Sequence, residues 1–455
     1  MNWIKEIAQE EDGSALATVL VIAVIISLFI GAILSGIVLQ SRFIQRDINS
    51  SKALYAAEEA AFRFLHLSSV PASYSSTKTI PLTNRNEARV TATPFGGFWE
   101  IQSVAKVSNQ KRTIRMLFGR HSSLLFNNSI ALGDSNSALT LTGTTEIKGD
   151  IITYSAGVRT ENFKGIPFRG VVEGERTRFN KEIQFPEFNT SFFKLQEEYF
   201  ESLYDDRSLQ RFASDYIGQN PSSSIQQKDT LYFEQNTEWI TNQVVQLPMD
   251  VVLVVNGNFT INGEYSLSPF TKIIVRDTLL VGGAVSGKNI LLYAGKSLQI
   301  GGGASVSAQA LSKGTITIRD DAYLRYPSLV YSSKELYDGG KKEVINIRDR
   351  SIVDGTVIYP FKSSSFTQDL FRVKVDTNAT VRGSIYNAGQ TELLGTVLGS
   401  VITEQFYFYE SPTSYINWLK DVTIDVTQRP QNFVLPIGFT DSTNYAILDW
   451  YELEE

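Results

Sequence analysis

The chain contains no cysteine. Disulfide scaffolds, thiol catalysis and cysteine-ligated zinc or iron–sulfur centres are therefore excluded. Histidine is almost as scarce: His66 and His121 are the only two, so a histidine-rich metal site is excluded as well. There is no basic excess either. The 42 Lys and Arg are outnumbered by 48 Asp and Glu, a formal net charge of −6. A dedicated nucleic-acid binder carries the opposite bias, so no nucleic-acid partner is expected. Apolar residues are not scarce. At 42% of 455 residues they rule out global disorder and allow two or three domains with a large core.

The uncharged run Ser14–Leu39 (SALATVLVIAVIISLFIGAILSGIVL) is long enough to cross a bilayer as a helix, which takes about 20 residues. A cleaved secretory signal would have a shorter apolar core and a positive start. Here Glu10, Glu11, Asp12 and Gly13 precede the run. Beyond it, no proline interrupts Gln40–Leu67, and Ile44, Ile48, Tyr55, Phe62 and Leu65 form an apolar stripe. Ala53–Ala61 is made of strong helix formers. One helix from Ser14 to Leu67 would be roughly 80 Å long, its first half suited to lipid and its second to protein. Lys5 is the only basic residue before the run, whereas Arg42, Arg46 and Lys52 follow it. By the positive-inside rule alone, the C-terminal mass would be cytoplasmic.

A polar leader ending in Gly13, then Ser14-Ala15-Leu16, an apolar run, Arg42 and Arg46, and Ala53-Leu54-Tyr55-Ala56-Ala57-Glu58-Glu59-Ala60 follow one another in order. This segment resembles the PilX-type N-terminal segment of minor pilins in type IV pilus assembly. The resemblance implies cleavage by a prepilin peptidase between Gly13 and Ser14. It also implies a single-pass inner-membrane anchor with the C-terminal body exported, to the periplasm or a cell-surface filament. The implied partners are the inner membrane, other pilin-like subunits and their assembly platform. Thr18 stands at the fifth mature position, where major pilins carry a glutamate, which points to a tip or initiating subunit rather than a shaft subunit. The resemblance covers about 55 residues and says nothing direct about the rest.

Pro71–Pro81, with Ser73, Ser75, Ser76 and Thr77, reads as a linker. Ala88–Thr93, Phe98–Val107 and Thr113–Phe118 alternate like strands of a small antiparallel meander. Further on, short apolar runs recur. Their markers Val254, Ile274, Leu292 and Ile316 are separated by 20, 18 and 24 residues, and Val254, Ile274 and Leu292 are expected to stack inward. A repeat near 20 residues with turn-forming Asn, Asp, Ser and Gly between strands signals a parallel β-helix rather than a sandwich. Ser137–Ser155 has the same texture. Between the coils, Phe188, Phe192, Leu195, Tyr199, Leu203, Phe212 and Tyr216 fall at helical spacing within Glu187–Ile217, an amphipathic insertion that reads first as a cap or brace and alternatively as a docking surface. Residues from Tyr415 on read as a second closing element.

The expected fold is thus mainly β. A long N-terminal transmembrane helix and a small antiparallel sheet precede a parallel β-helix with an inserted helical segment. The boundaries are leader 1–13, helix 14–68, linker and meander 69–130, first coils 131–185, helical insertion 186–222, solenoid 223–410 and C-terminal cap 411–455.

Catalytic constellations are thin. Asp320 and Asp321 are the best carboxylate pair, but strand neighbours point to opposite faces, and Asp is a turn former. Gly282-Gly283 and Gly301-Gly302-Gly303 lack the Lys-Ser/Thr of a phosphate loop and read as coil bends. Tyr323, Tyr326, Tyr331, Tyr407 and Tyr409 are candidates for a sugar-binding face. No catalytic residue, cofactor or metal ligand is expected. The sequence reads first as a non-enzymatic minor pilin or pseudopilin displaying a β-helix for assembly or surface interaction, with surface polysaccharide as a candidate ligand. The alternatives are a membrane-anchored polysaccharide-binding or polysaccharide-cleaving β-helix, and an envelope scaffold without a filament role.

Overall fold

The computed structural model describes residues 3–67, 74–82, 87–122, 124–133, 136–154, 156–178, 187–213, 230–335, 343–361, 372–439 and 444–453. Helix α1 runs unbroken over Trp3–Leu67. It starts before Ser14 because Trp3–Asp12 contains no glycine or proline to stop it. From Leu16 to Ile48 its described side chains are exposed, while Ala53, Ala57, Ala60, Ala61 and Phe64 bury their stripe against an antiparallel sheet.

That sheet orders β1 (Ser76–Pro81), β2 (Glu87–Phe95), β3 (Phe98–Val107) and β4 (Gln110–His121), with the C-terminal strand Tyr445–Leu453 added beside β4. The meander is as the alternation indicates. Half of the expected linker is strand β1, however, because Thr77, Thr79 and Ile80 suit a pleated surface as well as a loop. Ile101, Ile114 and Met116 face α1; Glu100 and Arg115 are on the opposite side, toward the solenoid.

The solenoid is a three-faced stack of parallel strands. On its first face an inward column runs Leu253, Ile273, Leu292, Ala310, Val330, Val357, Ile385 and Val401, each in register with the next and fully buried. The adjacent outward column runs Tyr232, Val254, Ile274, Tyr293, Leu311, Tyr331, Ile358, Tyr386 and Ile402. Val254 and Ile274, expected to point inward, therefore point out of the coil; Leu292 points in, and Ile316 points in from another face. The third coil is one residue shorter than the second, so a marker taken by hydrophobicity alone slips to the other face of the strand. The outward column is apolar because the sheet and the second helix cover it.

The coils do not stack in chain order. Val401 pairs with Ile130, and Ile130 with Ile151, so the first coils in sequence lie beyond the last ones in space. On another face Ile424 sits between Val397 and Ile147. One coil is thus composite, built from Ile130–Leu132 and Thr423–Asp425. The segment read as a C-terminal cap completes this coil and then crosses to the antiparallel sheet.

Helix α2 (Ser191–Tyr204) is the lateral brace that carries the chain back. Phe188 lies 6.0 Å from the Tyr386 ring, Phe193 stacks on Tyr331 at 4.0 Å, and Phe200 meets Tyr293 at 4.9 Å. The Tyr232 hydroxyl donates to the Tyr204 carbonyl at 2.8 Å. Four outward tyrosines of successive regions of the stack therefore mark its path. Phe212 lies in a short strand, Arg211–Phe212, rather than in a helix. Tyr216 lies outside the described residues.

Candidate functional site

Three places on the fold carry more than core packing. The first is the free half of α1. Leu16 is 70% exposed and Phe29 66%, and every side chain described between them is exposed as well. Helix α1 is long and apolar enough to cross a membrane. Ser27 hides its hydroxyl by donating to the Ala23 carbonyl at 2.7 Å, which suits a serine in an apolar medium. Gly13 and Ser14 lie inside α1, one turn before Thr18, which is exposed.

The second is the joint between sheet and solenoid. Arg115 Nη2 donates to Glu100 Oε1 at 2.7 Å, its Nη1 bridges to Asp250, and its guanidinium lies 4.0 Å over the Phe270 ring. Asp250, Phe270 and Asn289 occupy the same corner of three successive coils, and all have positive φ, 65°, 65° and 50°. That left-handed backbone is costly for a phenylalanine. It aims each side chain at the sheet: Asp250 at Arg115, Phe270 at Tyr451 (5.2 Å), Asn289 Nδ2 at Asp449 (2.7 Å). Lys288 adds an ion pair to Asp449 at 2.6 Å. The solenoid is held as one body with the helix–sheet module.

The third is a trough of about 730 Å³ between α2 and the coil corners. Its walls carry Lys194, Lys296, Lys313, Glu197, Glu201 and Glu335. Most of these charges are satisfied in place. Lys313 pairs with Glu201, Lys194 with Glu335 at 3.5 Å, and Lys296 with Asp277 at 2.7 Å. Ser333 donates to Glu197 at 2.5 Å. Burial holds the Glu197 carboxyl above the usual carboxylate range against the opposing pull of that hydrogen bond. The trough is a seam of opposite charges that seats α2.

The remaining residues singled out from sequence are scattered. Asp320 and Asp321 have φ of 55° and 62°, and the Asp321 amide donates to the Asp349 carbonyl of the next coil at 3.0 Å. Arg350 clasps Asp321 through two 2.7 Å bonds. They are stacked turn residues. Gly283 and Gly302 form a coil bend where a Cβ on Gly283 would lie 2.5 Å from the Gly263 nitrogen. His66 returns to the Phe62 carbonyl at the end of α1, and His121 ends β4. The five tyrosines do not share a face. Tyr331 is buried under α2, Tyr323 bonds Asp354, and Tyr326 accepts from the Val434 amide. Only Tyr407 and Tyr409 lie together, two apart on one strand. Among the described residues no cluster of three His, Asp or Glu is placed to hold a metal.

No protein-family model and no curated protein matches the chain. Among solved structures, the crystal structure of the competence-associated pilin ComZ from Thermus thermophilus is similar at 10% identity. The match covers 89% of this chain and 97% of that one, with a TM-score of 0.20. That score is too low to equate the two folds.

Proposed function

We propose that this chain is a non-enzymatic, pilin-like subunit, anchored in the inner membrane by α1, that displays its β-helix outside the membrane as part of a type IV pilus or related secretion machinery. The observation that carries the reading is the division of α1. One continuous helix leaves its apolar half uncovered and lays its alanine-rich half, Ala53 to Phe64, on a small antiparallel sheet. An apolar surface of that length has a place in a bilayer or among other apolar helices, not in water. The order Gly13-Ser14, apolar run and Ala53–Ala60 supplies the family resemblance. Position follows from bulk: the solenoid is far wider than a helix of about 10–12 Å, so copies repeated along a shaft would collide. A tip or initiating position avoids that collision and agrees with threonine at position 18.

Processing tests the reading. In a host with prepilin peptidase, N-terminal sequencing is expected to begin at Ser14, and Gly13→Val is expected to leave the chain starting at Met1 because a branched side chain hinders close approach to the backbone. A parent chain that keeps Met1 with active peptidase present would remove the pilin reading. A reporter fused after Leu67 that works only in the cytoplasm would remove the export.

A further inference from the structure

Tyr407 and Tyr409 are absorbed neither by the core nor by the membrane-anchored display. They lie on the hairpin formed by Thr396–Glu410 and Thr413–Ile416. Cross-strand pairing sets Tyr407 opposite Ile416 and Tyr409 opposite Ser414, so these four share one face. Tyr409 is 52% exposed and Ile416 36%.

The other face of the hairpin is pinned. Phe408 and Tyr415 pack with Phe163 at 5.8 and 5.5 Å, and Trp418 closes the group. Glu410 is bonded on both sides, to Lys164 at 2.6 Å and to Lys420 at 2.8 Å. Tyr409 is thus a ring held out on a rigid support, which removes much of the ordering cost of a contact.

Beside it lies a row of planar polar groups. Arg372, Gln390 and Gln405 are in register on successive strands and point away from the core, on the same side as Tyr407 and Tyr409. Arg372 Nε donates to Gln390 Oε1 at 3.2 Å, and Gln390 Nε2 donates to Gln405 Oε1 at 3.2 Å. The guanidinium carbon is 3.5 Å from the centre of the Tyr407 ring. These contacts fix the guanidinium through Nε and its flat face. Its two terminal nitrogens, the edge that takes a carboxylate bidentately, make no hydrogen bond among the described residues, although Glu392 lies near enough to feel the charge.

A stable protein interface takes roughly 20–30 residues a side, and this platform is far too small for one. A ring that presents an apolar face beside amide and guanidinium donors suits a sugar, which is apolar on its C–H face and polar at its rim. We propose that the outer face of this hairpin binds an acidic polysaccharide, one sugar ring resting on Tyr409 and a sugar carboxylate held by the open edge of Arg372. No covalent step is involved.

The test is affinity electrophoresis of the full chain in detergent micelles through gels containing polygalacturonate or dextran. The parent protein is expected to be retarded by polygalacturonate and much less by dextran. Tyr409→Ala is expected to weaken the retardation at least about tenfold, a loss of about 1.4 kcal/mol. Tyr409→Phe, which keeps the ring, is expected to bind like the parent. Arg372→Gln is expected to erase the preference for polygalacturonate. Absence of retardation by either polymer would overturn the proposal. So would parent-like binding by both Tyr409→Ala and Arg372→Gln, or equal retardation of the parent in the two gels.

Discussion

Replacing Arg115 by methionine removes the one cation that serves two carboxylates at the joint. Glu100 and Asp250 both bond this guanidinium, and all three side chains are about nine-tenths buried. Methionine keeps most of the apolar contact with Phe270 but strips Asp250 of its cation and leaves Glu100 with only the neighbouring charge of Lys272. Breaking a buried ion pair from one side costs about 3–5 kcal/mol, roughly a hundred- to several-thousand-fold in the folding equilibrium. The loss should be local in origin. Urea unfolding should therefore show the reduced stability, and hydrogen exchange should show faster opening of β4 and the C-terminal strand than of the inner coils. Adding Asp250→Asn to Arg115→Met should restore much of the loss, since Glu100 keeps the neighbouring charge of Lys272 and asparagine accepts the left-handed backbone at position 250. If Arg115→Met alone falls within about 1 kcal/mol of the parent, the joint is not held by these charges and the reasoning fails.

Two further perturbations separate core from brace. Leu292→Ala removes a fully buried member of the inward column and should cost about 2–5 kcal/mol by urea unfolding, whereas Val244→Ala, 70% exposed, should cost under about 0.5 kcal/mol. Glu197→Gln should stabilise the chain at neutral pH, as followed by thermal melts. The sign follows from burial. A carboxyl held above its usual range keeps its proton longer in the folded chain than in the unfolded one, so stability is lost as pH rises through that range. The gain from Gln should therefore shrink below about pH 4, where both states are protonated.

The elements legible from sequence were those with a long or repeated signal. The uncharged run to Leu39 and the alanine-rich stretch after it gave α1, and recurring Val, Ile and Leu gave the solenoid. The inward reading held for Leu292 and failed for Val254 and Ile274, because a coil shortened by one residue reverses inside and outside while leaving the hydrophobicity unchanged. The stacking order was not legible at all. That Ile130 follows Val401 in space is a long-range pairing, and local pattern carries no trace of it. For the same reason Tyr445–Leu453 looked like a cap, though its alternation belongs to a strand whose partner, β4, lies far back in the chain. At the candidate sites, turn chemistry predicted the fate of Asp320 and Asp321. The five tyrosines could not be sorted, since tyrosine serves equally in cores, braces and exposed platforms.

The composite coil imposes a schedule on folding. Ile130–Leu132 emerges early in synthesis, yet its neighbours on one side are Val401–Thr403, and the coil closes only when Thr423–Asp425 arrives. A solenoid stacked in chain order can zip up behind the ribosome or the export channel, but this one must keep its first coils waiting for its last. Such distant pairing slows folding and leaves strand edges open to wrong partners in the meantime. If the body is exported as proposed, the coils from Ile130 to Arg178 are the part that most needs shelter until the C-terminus is through.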